Sequence, residues 1–317
     1  MPTPAHGDEA IRQTLDPSLY APLEDELAFF KQQTGIQNDE ELKSHVISVQ
    51  TKAYQVYGYP CIRRFGFMKL NIARLPAYPR ALSLLLERAD PILLDIGCCF
   101  GNDARKAVVD GWPAKYVVAS DLRQSFWDYG HELFKSTPES FPATFFAGDA
   151  FDDNFLAKTQ LPPPSEPRPD LRVITSLNSL RGKISVVHAS SFFHIFSEER
   201  QLDLACRLAS LILSGKGSVI LGQHIANPQK GLLGEGTIFP SIFCHSPASW
   251  RQLWEEEVFG KEVPVNVDAE LVRIGVNGPP ILQDRYEVSQ CLVHEMSLLF
   301  SEMNIVFRSS LQKEPAY

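Results

Sequence analysis

Apolar residues fall at helical spacing early in the chain and in short unbroken runs through its middle, and this change of period divides the sequence. Leu23, Leu27 and Phe30 at i, i+4 and i+7 predict a helix that stops at Gly35. Asn38 with Glu41 three positions on resembles a capping box, and Leu42, Val46, Val49, Ala53 and Val56 then hold one face of a second helix. Residues 1 to about 18 read as a mobile tail. The aromatic, doubly basic stretch from Tyr57 to Met68 reads as an irregular segment lying over something else. Pro79 then opens a helix carrying Leu82, Leu85 and Leu86.

From Ile92 the period becomes that of buried parallel strands. Ile92 to Leu94 and Ile96 form the first run, broken by Asp95 and followed by Gly97; past Gly101 the residues from Asp103 to Val109 read as helix. A strand, a glycine-bearing turn and a helix start make a ligand site at the carboxyl edge of a parallel sheet. The second strand, Lys115 to Ser120, ends at Asp121, 26 residues after Asp95, and the third, Ala143 to Gly148, ends at Asp149, 28 residues later. A helix after Asp121 turns Phe126, Tyr129 and Leu133 inward. Ile184 to Val187 is the fourth strand and delivers His188; Gly217 to Gly222 is the fifth, and Val263 to Ile274 and Cys291 to Phe300 are the last two. Ser246 with Pro247 behind it caps a late helix. The proline-rich stretch 161–170 is a loop insertion. Residues 1–78 thus form a helical extension and lid, and 79–317 a nucleotide-type core.

At 317 residues the chain can bury a sizeable core. Its net charge of −8 argues against partners that present phosphate, whether nucleic acid or an anionic membrane surface. No apolar run approaches the roughly 20 residues of a membrane span, and the first residues lack the basic and apolar regions of a signal peptide, so the cytosol is the expected compartment. Six cysteines show no Cys-x-x-Cys pairing, and no histidine–carboxylate set has metal-ligand spacing. Neither zinc nor another metal is expected. Cys98 and Cys99 read as a redox pair or, more simply, as small loop fillers.

An acid at a strand tip accepts hydrogen bonds from ribose hydroxyls, and a second acid one strand further along accepts from an exocyclic amine such as that of adenine. This series resembles the class I S-adenosylmethionine (SAM)-dependent methyltransferases. Their acid-x-Gly-x-Gly-x-Gly motif is matched by Asp95, Gly97 and Gly101, with Cys99 at the middle glycine. A nicotinamide dinucleotide fold wants Gly-x-Gly-x-x-Gly, finds Gly97-x-Cys99-x-x-Asn102 instead, and gives Asp149 no role. The resemblance implies SAM as cofactor and a Rossmann-like α/β fold with a seven-stranded, mostly parallel sheet covered by helices on both faces. It also implies that Gly97, Cys98, Cys99 and Gly101 meet the methionine part. Asp121 and Leu122 would meet the ribose, Asp149, Ala150 and Phe151 the adenine, and His188 would wall the cofactor.

The runs Tyr-Pro-Cys-Ile-Arg-Arg-Phe, Pro-Ala-Tyr-Pro, Leu-Leu-Asp-Ile-Gly-Cys-Cys-Phe-Gly, His-Ala-Ser-Ser-Phe-Phe-His and Ile-Leu-Gly-Gln resemble, more closely, the fungal methyltransferases of meroterpenoid and related secondary-metabolite pathways. That resemblance implies O-methylation of the carboxyl group of a prenylated aromatic polyketide, often by a homodimer. Arg63 or Arg64 would then face the cofactor's carboxylate or an acidic substrate, unless both are solvated surface charge. His188 is a candidate general base or a structural residue; a phenolic acceptor would require the base, a carboxylate would not. His-Ala-Ser-Ser stands where amine methylases place Asn/Asp-Pro-Pro-aromatic, which disfavours an amine acceptor. A SAM-binding regulatory module is the alternative outside enzymology.

Overall fold

The computed structural model describes residues 13–158, 169–213, 217–233, 242–260, 263, 265–273 and 292–300, without side chains at 272, 273 and 292–300. Its N-terminal part contains α1 (Glu24–Thr34), α2 (Asp39–Val56), the short α3 (Pro60–Arg63) and α4 (Asn71–Arg74), and α5 (Tyr78–Glu87). Then follow β1 (Ile92–Ile96), α6 (Asn102–Val109), β2 (Val117–Asp121), α7 (Gln124–Leu133), β3 (Thr144–Ala147), α8 (Asp153–Leu156) and β4 (Ile184–His188). The remainder is α9 (Glu198–Leu211), β5 (Val219–Ala226), the hairpin of β6 (Gly231–Leu233) and β7 (Ile242–Cys244), α10 (Pro247–Gln252), β8 (Val265–Arg273) and β9 (Leu292–Phe300).

Seven strands make one sheet in the order β3-β2-β1-β4-β5-β9-β8, the first five parallel and β9 and β8 antiparallel. Every residue of β1 and β4 is buried, as unbroken apolar runs covered on both faces require. Chain order reverses between β1 and β4, so the crevice beyond their carboxyl ends is the switch point at which such sheets bind ligands. β5 runs on to Ala226 instead of ending at Gly222, because its pairing with β9 continues to that residue. Most of the proline-rich stretch lies outside the described residues.

The N-terminal helices share a core with the sheet's helical layer. Phe29, Phe30, Leu42, Val46, Val49 and Ala53 pack with Phe100, Phe126, Leu133 and Phe134, and the rings of Phe30 and Phe134 stack at 5.0 Å. Each such phenylalanine, leucine or valine side chain taken out of water contributes roughly 1.5–3 kcal/mol. Asn38 caps α2 by accepting from the Glu41 N–H at 3.0 Å, and Gly35 closes α1 at φ 74°. The tail is tied from its first described residues: Tyr54 donates to the Gln13 carbonyl at 3.0 Å and Arg63 Nε to that of Thr14 at 2.9 Å. In α5 the buried face is Tyr78, Ala81 and Leu84, while Leu86 is exposed. In α7 Trp127 joins Phe126 and Leu133 inside, and Tyr129 is half-buried. Among the described residues no helix is long and apolar enough to cross a membrane.

Candidate active site

Register brings the strand tips together. Asp95 stands opposite Ala119 on one side and His188 on the other, and Asp121 stands opposite Ala147. The loop after β1 then folds over the tip of β2. Gly97 and Cys98 both donate to the Ser120 carbonyl, at 2.8 and 3.1 Å, and the Cys99 N–H donates to Asp121 Oδ2 at 3.0 Å. Cys99 takes φ 51° where a glycine is usual, a left-handed conformation that costs an L residue roughly 1–2 kcal/mol. The hydrogen bond to Asp121 holds it there.

Gly97 and Gly101 both sit at φ 71°. A Cβ on Gly97 would lie 2.7 Å from the Phe192 ring, and one on Gly101 would lie 2.5 Å from Trp127. From below, Arg105 secures the loop by donating to the carbonyls of Phe100 at 3.1 Å and Gly101 at 3.3 Å. Its guanidinium lies between Phe141, 4.3 Å away, and Phe134, 4.5 Å away, and burial lowers its pKa to about 9.

Asp121 uses both oxygens on backbone, Oδ2 for Cys99 and Oδ1 for the Arg123 N–H at 3.1 Å; burial raises its pKa against those bonds. Each oxygen keeps a further lone pair for a ribose hydroxyl. Asp149 Oδ1 accepts from the Phe151 N–H at 2.9 Å, with Ala150 buried beside it. Leu122 is exposed next to Asp121. Phe151 meets Phe196 edge-on at 4.9 Å, Phe196 meets Phe192 at 5.3 Å, and Arg200 lies 4.0 Å over the Phe151 ring. These aromatics form a continuous chain of ring contacts from the turn after β3 to the segment after β4.

Asp95 is buried; its Oδ1 accepts from His188 Nδ1 at 2.8 Å while Oδ2 has no partner. That orphaned oxygen, the glycine turn and the spare lone pairs of Asp121 fit a ligand that brings an ammonium group and ribose hydroxyls. Cys98 and Cys99 are neutral thiols, since burial pushes both pKa values well up.

Two expected site residues stand elsewhere. Arg63 ends α3 and spends its Nε on the Thr14 carbonyl, and Arg64 is exposed beside it. The short helix turns Arg63 towards the tail and leaves Arg64 open to solvent. His188 is 1% exposed with both ring nitrogens engaged, Nε2 lying 2.7 Å from Ser190 Oγ, so it does not itself face an acceptor.

Other residues at the site escaped sequence reasoning. Tyr59 comes near Asp121 from the segment before α3, and burial together with that carboxylate raises its pKa to about 12. Arg123 lies 4.7 Å over the ring of Tyr57. Asp103, at the start of α6, accepts from the Ile72 N–H at 3.0 Å, and Gln223 Nε2 donates to Asn71 Oδ1 at 2.7 Å, joining α4 to β5. The aromatic run at Tyr57 and the arginine two residues past Asp121 were the available signals for the first pair.

A family model described as the meroterpenoid methyltransferase N-terminal domain matches residues 15–68. The O-methyltransferase phiE of a fungal species is 33% identical over 217 residues, which cover 68% of this chain and 65% of that protein. The O-methyltransferase atr3 of Stereocaulon alpinum is 32% identical over 222 residues, covering 68% and 57%. The match thus spans less than two thirds of the length of these two relatives. The methyltransferase ausD of Aspergillus calidoustus is 30% identical over 217 residues, covering 68% of this chain and 70% of that protein. The chain therefore belongs to the fungal meroterpenoid methyltransferase family.

Proposed function

We propose that the protein binds SAM at the tips of β1, β2 and β3 and O-methylates a carboxylate of an apolar acid. The observation that carries the acceptor class is the enclosure of His188, which removes the one histidine at the end of β4 as a direct base. A carboxylate with its usual pKa near 4 is ionised at neutral pH and needs no base, so transfer asks for alignment and exclusion of water. The bound cofactor supplies a methyl group on an electrophilic sulfonium.

In this reading Asp121 takes the ribose hydroxyls, Asp149 the adenine amine, and Asp95 Oδ2 the ammonium of the methionine part. The wall of Phe151, Phe192 and Phe196 excludes water and suits an apolar body. The lid, docked through Gln223 and Asn71, closes the crevice from the other side. A phenol is the second reading, favoured only by the Ser190–His188 contact, which offers an indirect route for a proton.

The experiment supplies methyl-labelled SAM with panels of apolar carboxylic acids and phenols. An ester releases its label as methanol in mild alkali, and an aryl ether retains it. Label that survives alkali, from phenols alone, replaces the carboxylate with the phenol.

A further inference from the structure

Ser190 lies at the outer end of a three-residue chain that begins inside the sheet. Asp95 Oδ1 accepts from His188 Nδ1 at 2.8 Å, and His188 Nε2 lies 2.7 Å from Ser190 Oγ. Asp95 and His188 are buried and Ser190 is half-buried, so of the three only Ser190 is open to solvent, just past the carboxyl end of β4. The backbone on both sides of it is pinned. Ala189 N–H donates to the Leu221 carbonyl at 3.0 Å and Ser191 N–H to that of Gln223 at 2.6 Å, with Ser191 held at φ 55°. The backbone carrying Ser190 is therefore fixed, and the contact with His188 Nε2 sets where its Oγ stands.

The proton count on His188 decides where that hydrogen points. The Asp95 carboxylate keeps a proton on Nδ1. With Nε2 bare, the Ser190 hydrogen turns inward to it and only oxygen lone pairs face the crevice. With Nε2 protonated, the ring donates to Oγ, and the Ser190 O–H is released to donate outward. The first state suits a hydrogen-bond donor; the second suits an anion.

We propose that Ser190 is a specificity-determining residue, donating a hydrogen bond to the acceptor carboxylate when His188 carries both its protons. This rests on the carboxylate reading above. The groups facing His188 support it: Asp95 from β1, Asp103 from α6, and in register from β5 the apolar Leu221. Burial alone would lower the His188 pKa, but the two carboxylates outweigh it and raise the pKa above the ordinary value. Asp103, itself pushed by burial up to about 6, is ionised above that pH and adds to the effect. Acceptor affinity should then fall as pH rises through the His188 value.

The test uses the full chain saturated with S-adenosylhomocysteine, a benzoic acid bearing a long alkyl chain as probe, and its primary amide as the neutral control. Calorimetry should show the acid binding the wild type roughly tenfold or more tightly at about pH 6 than at about pH 9, and the amide equally at both. Ser190→Ala should lose roughly tenfold in acid affinity at the lower pH and flatten the profile, and Ser190→Thr should restore both. Unchanged S-adenosylhomocysteine affinity shows that the variants fold. In the wild type alone, saturating acid should raise the NMR titration midpoint of His188, as linkage demands. Acid affinity indifferent to Ser190→Ala, or a His188 midpoint unmoved by bound acid, overturns the role of Ser190. A wild type that neither binds nor methylates the acid overturns the carboxylate reading, and this inference with it.

Discussion

Asp95 and His188, 93 residues apart in the chain, stand in register at the tips of adjacent parallel strands and share a 2.8 Å hydrogen bond out of reach of water. Folded His188 holds its proton more tightly than the unfolded chain does. The pair therefore contributes stability that is fully present below about pH 6.5 and is lost as pH rises through the raised folded value. Thermal melts of the wild type and Asp95→Asn between about pH 6 and pH 9 check this. The wild type should lose Tm with rising pH more steeply than the variant, and parallel slopes would refute the linkage.

Asp121→Ala removes the acceptor of two backbone N–H groups as well as the proposed ribose ligand. Lost hydrogen bonds to a charged acceptor are worth on the order of 1.5–3 kcal/mol, so SAM affinity should fall at least tenfold. Calorimetry on the folded variant decides; an unchanged Kd would take Asp121 out of the site.

Gly97→Ala meets two obstacles, the positive φ and the Phe192 ring 2.7 Å from the added carbon. The backbone strain alone costs roughly 1–2 kcal/mol, and displacing the ring adds to it. Adding Phe192→Ala should remove the second cost and leave the first. In a double-mutant cycle read by denaturant melts, the pair should therefore be non-additive, and additive effects would mean that the ring does not rest on Gly97.

Among the described residues no group of three or more histidine, cysteine or acidic side chains is placed to hold a metal ion. Turnover at saturating SAM should therefore survive a chelator. Activity lost with the chelator and regained with magnesium or zinc would show that the strand-tip acids have another use.

The strand-tip acids were legible because each is marked locally, by a polar residue at or near the end of an apolar run. Their order along the chain is their order across one half of the sheet, and β1 to β3 and their helices follow directly. The Asp95–His188–Ser190 chain was not legible, because it depends on the register of β1 against β4, which no local pattern encodes. Arg63 misled for a related reason. Its apolar neighbours do mark a segment lying over the core, but α3 turns that one side chain towards Thr14. Arg105 is hidden in a helix whose charged residues look solvated, and only its aromatic cage of Trp127, Phe134 and Phe141 shows where it lies.

The cluster that joins Phe30, Val46 and Val49 to Phe100, Phe126 and Phe134 has a bearing on engineering. Phe100 belongs to the turn between β1 and α6, so the first two helices form the far wall against which that turn is set. Exchanging the first 70 or so residues with those of a relative would change more than the N-terminal helices themselves. It would alter the seating of the cofactor loop unless the rings around Phe100 were exchanged with it. A chimera joined between Lys69 and Leu70 should therefore lose affinity at the nucleotide end, even though every strand-tip acid is retained.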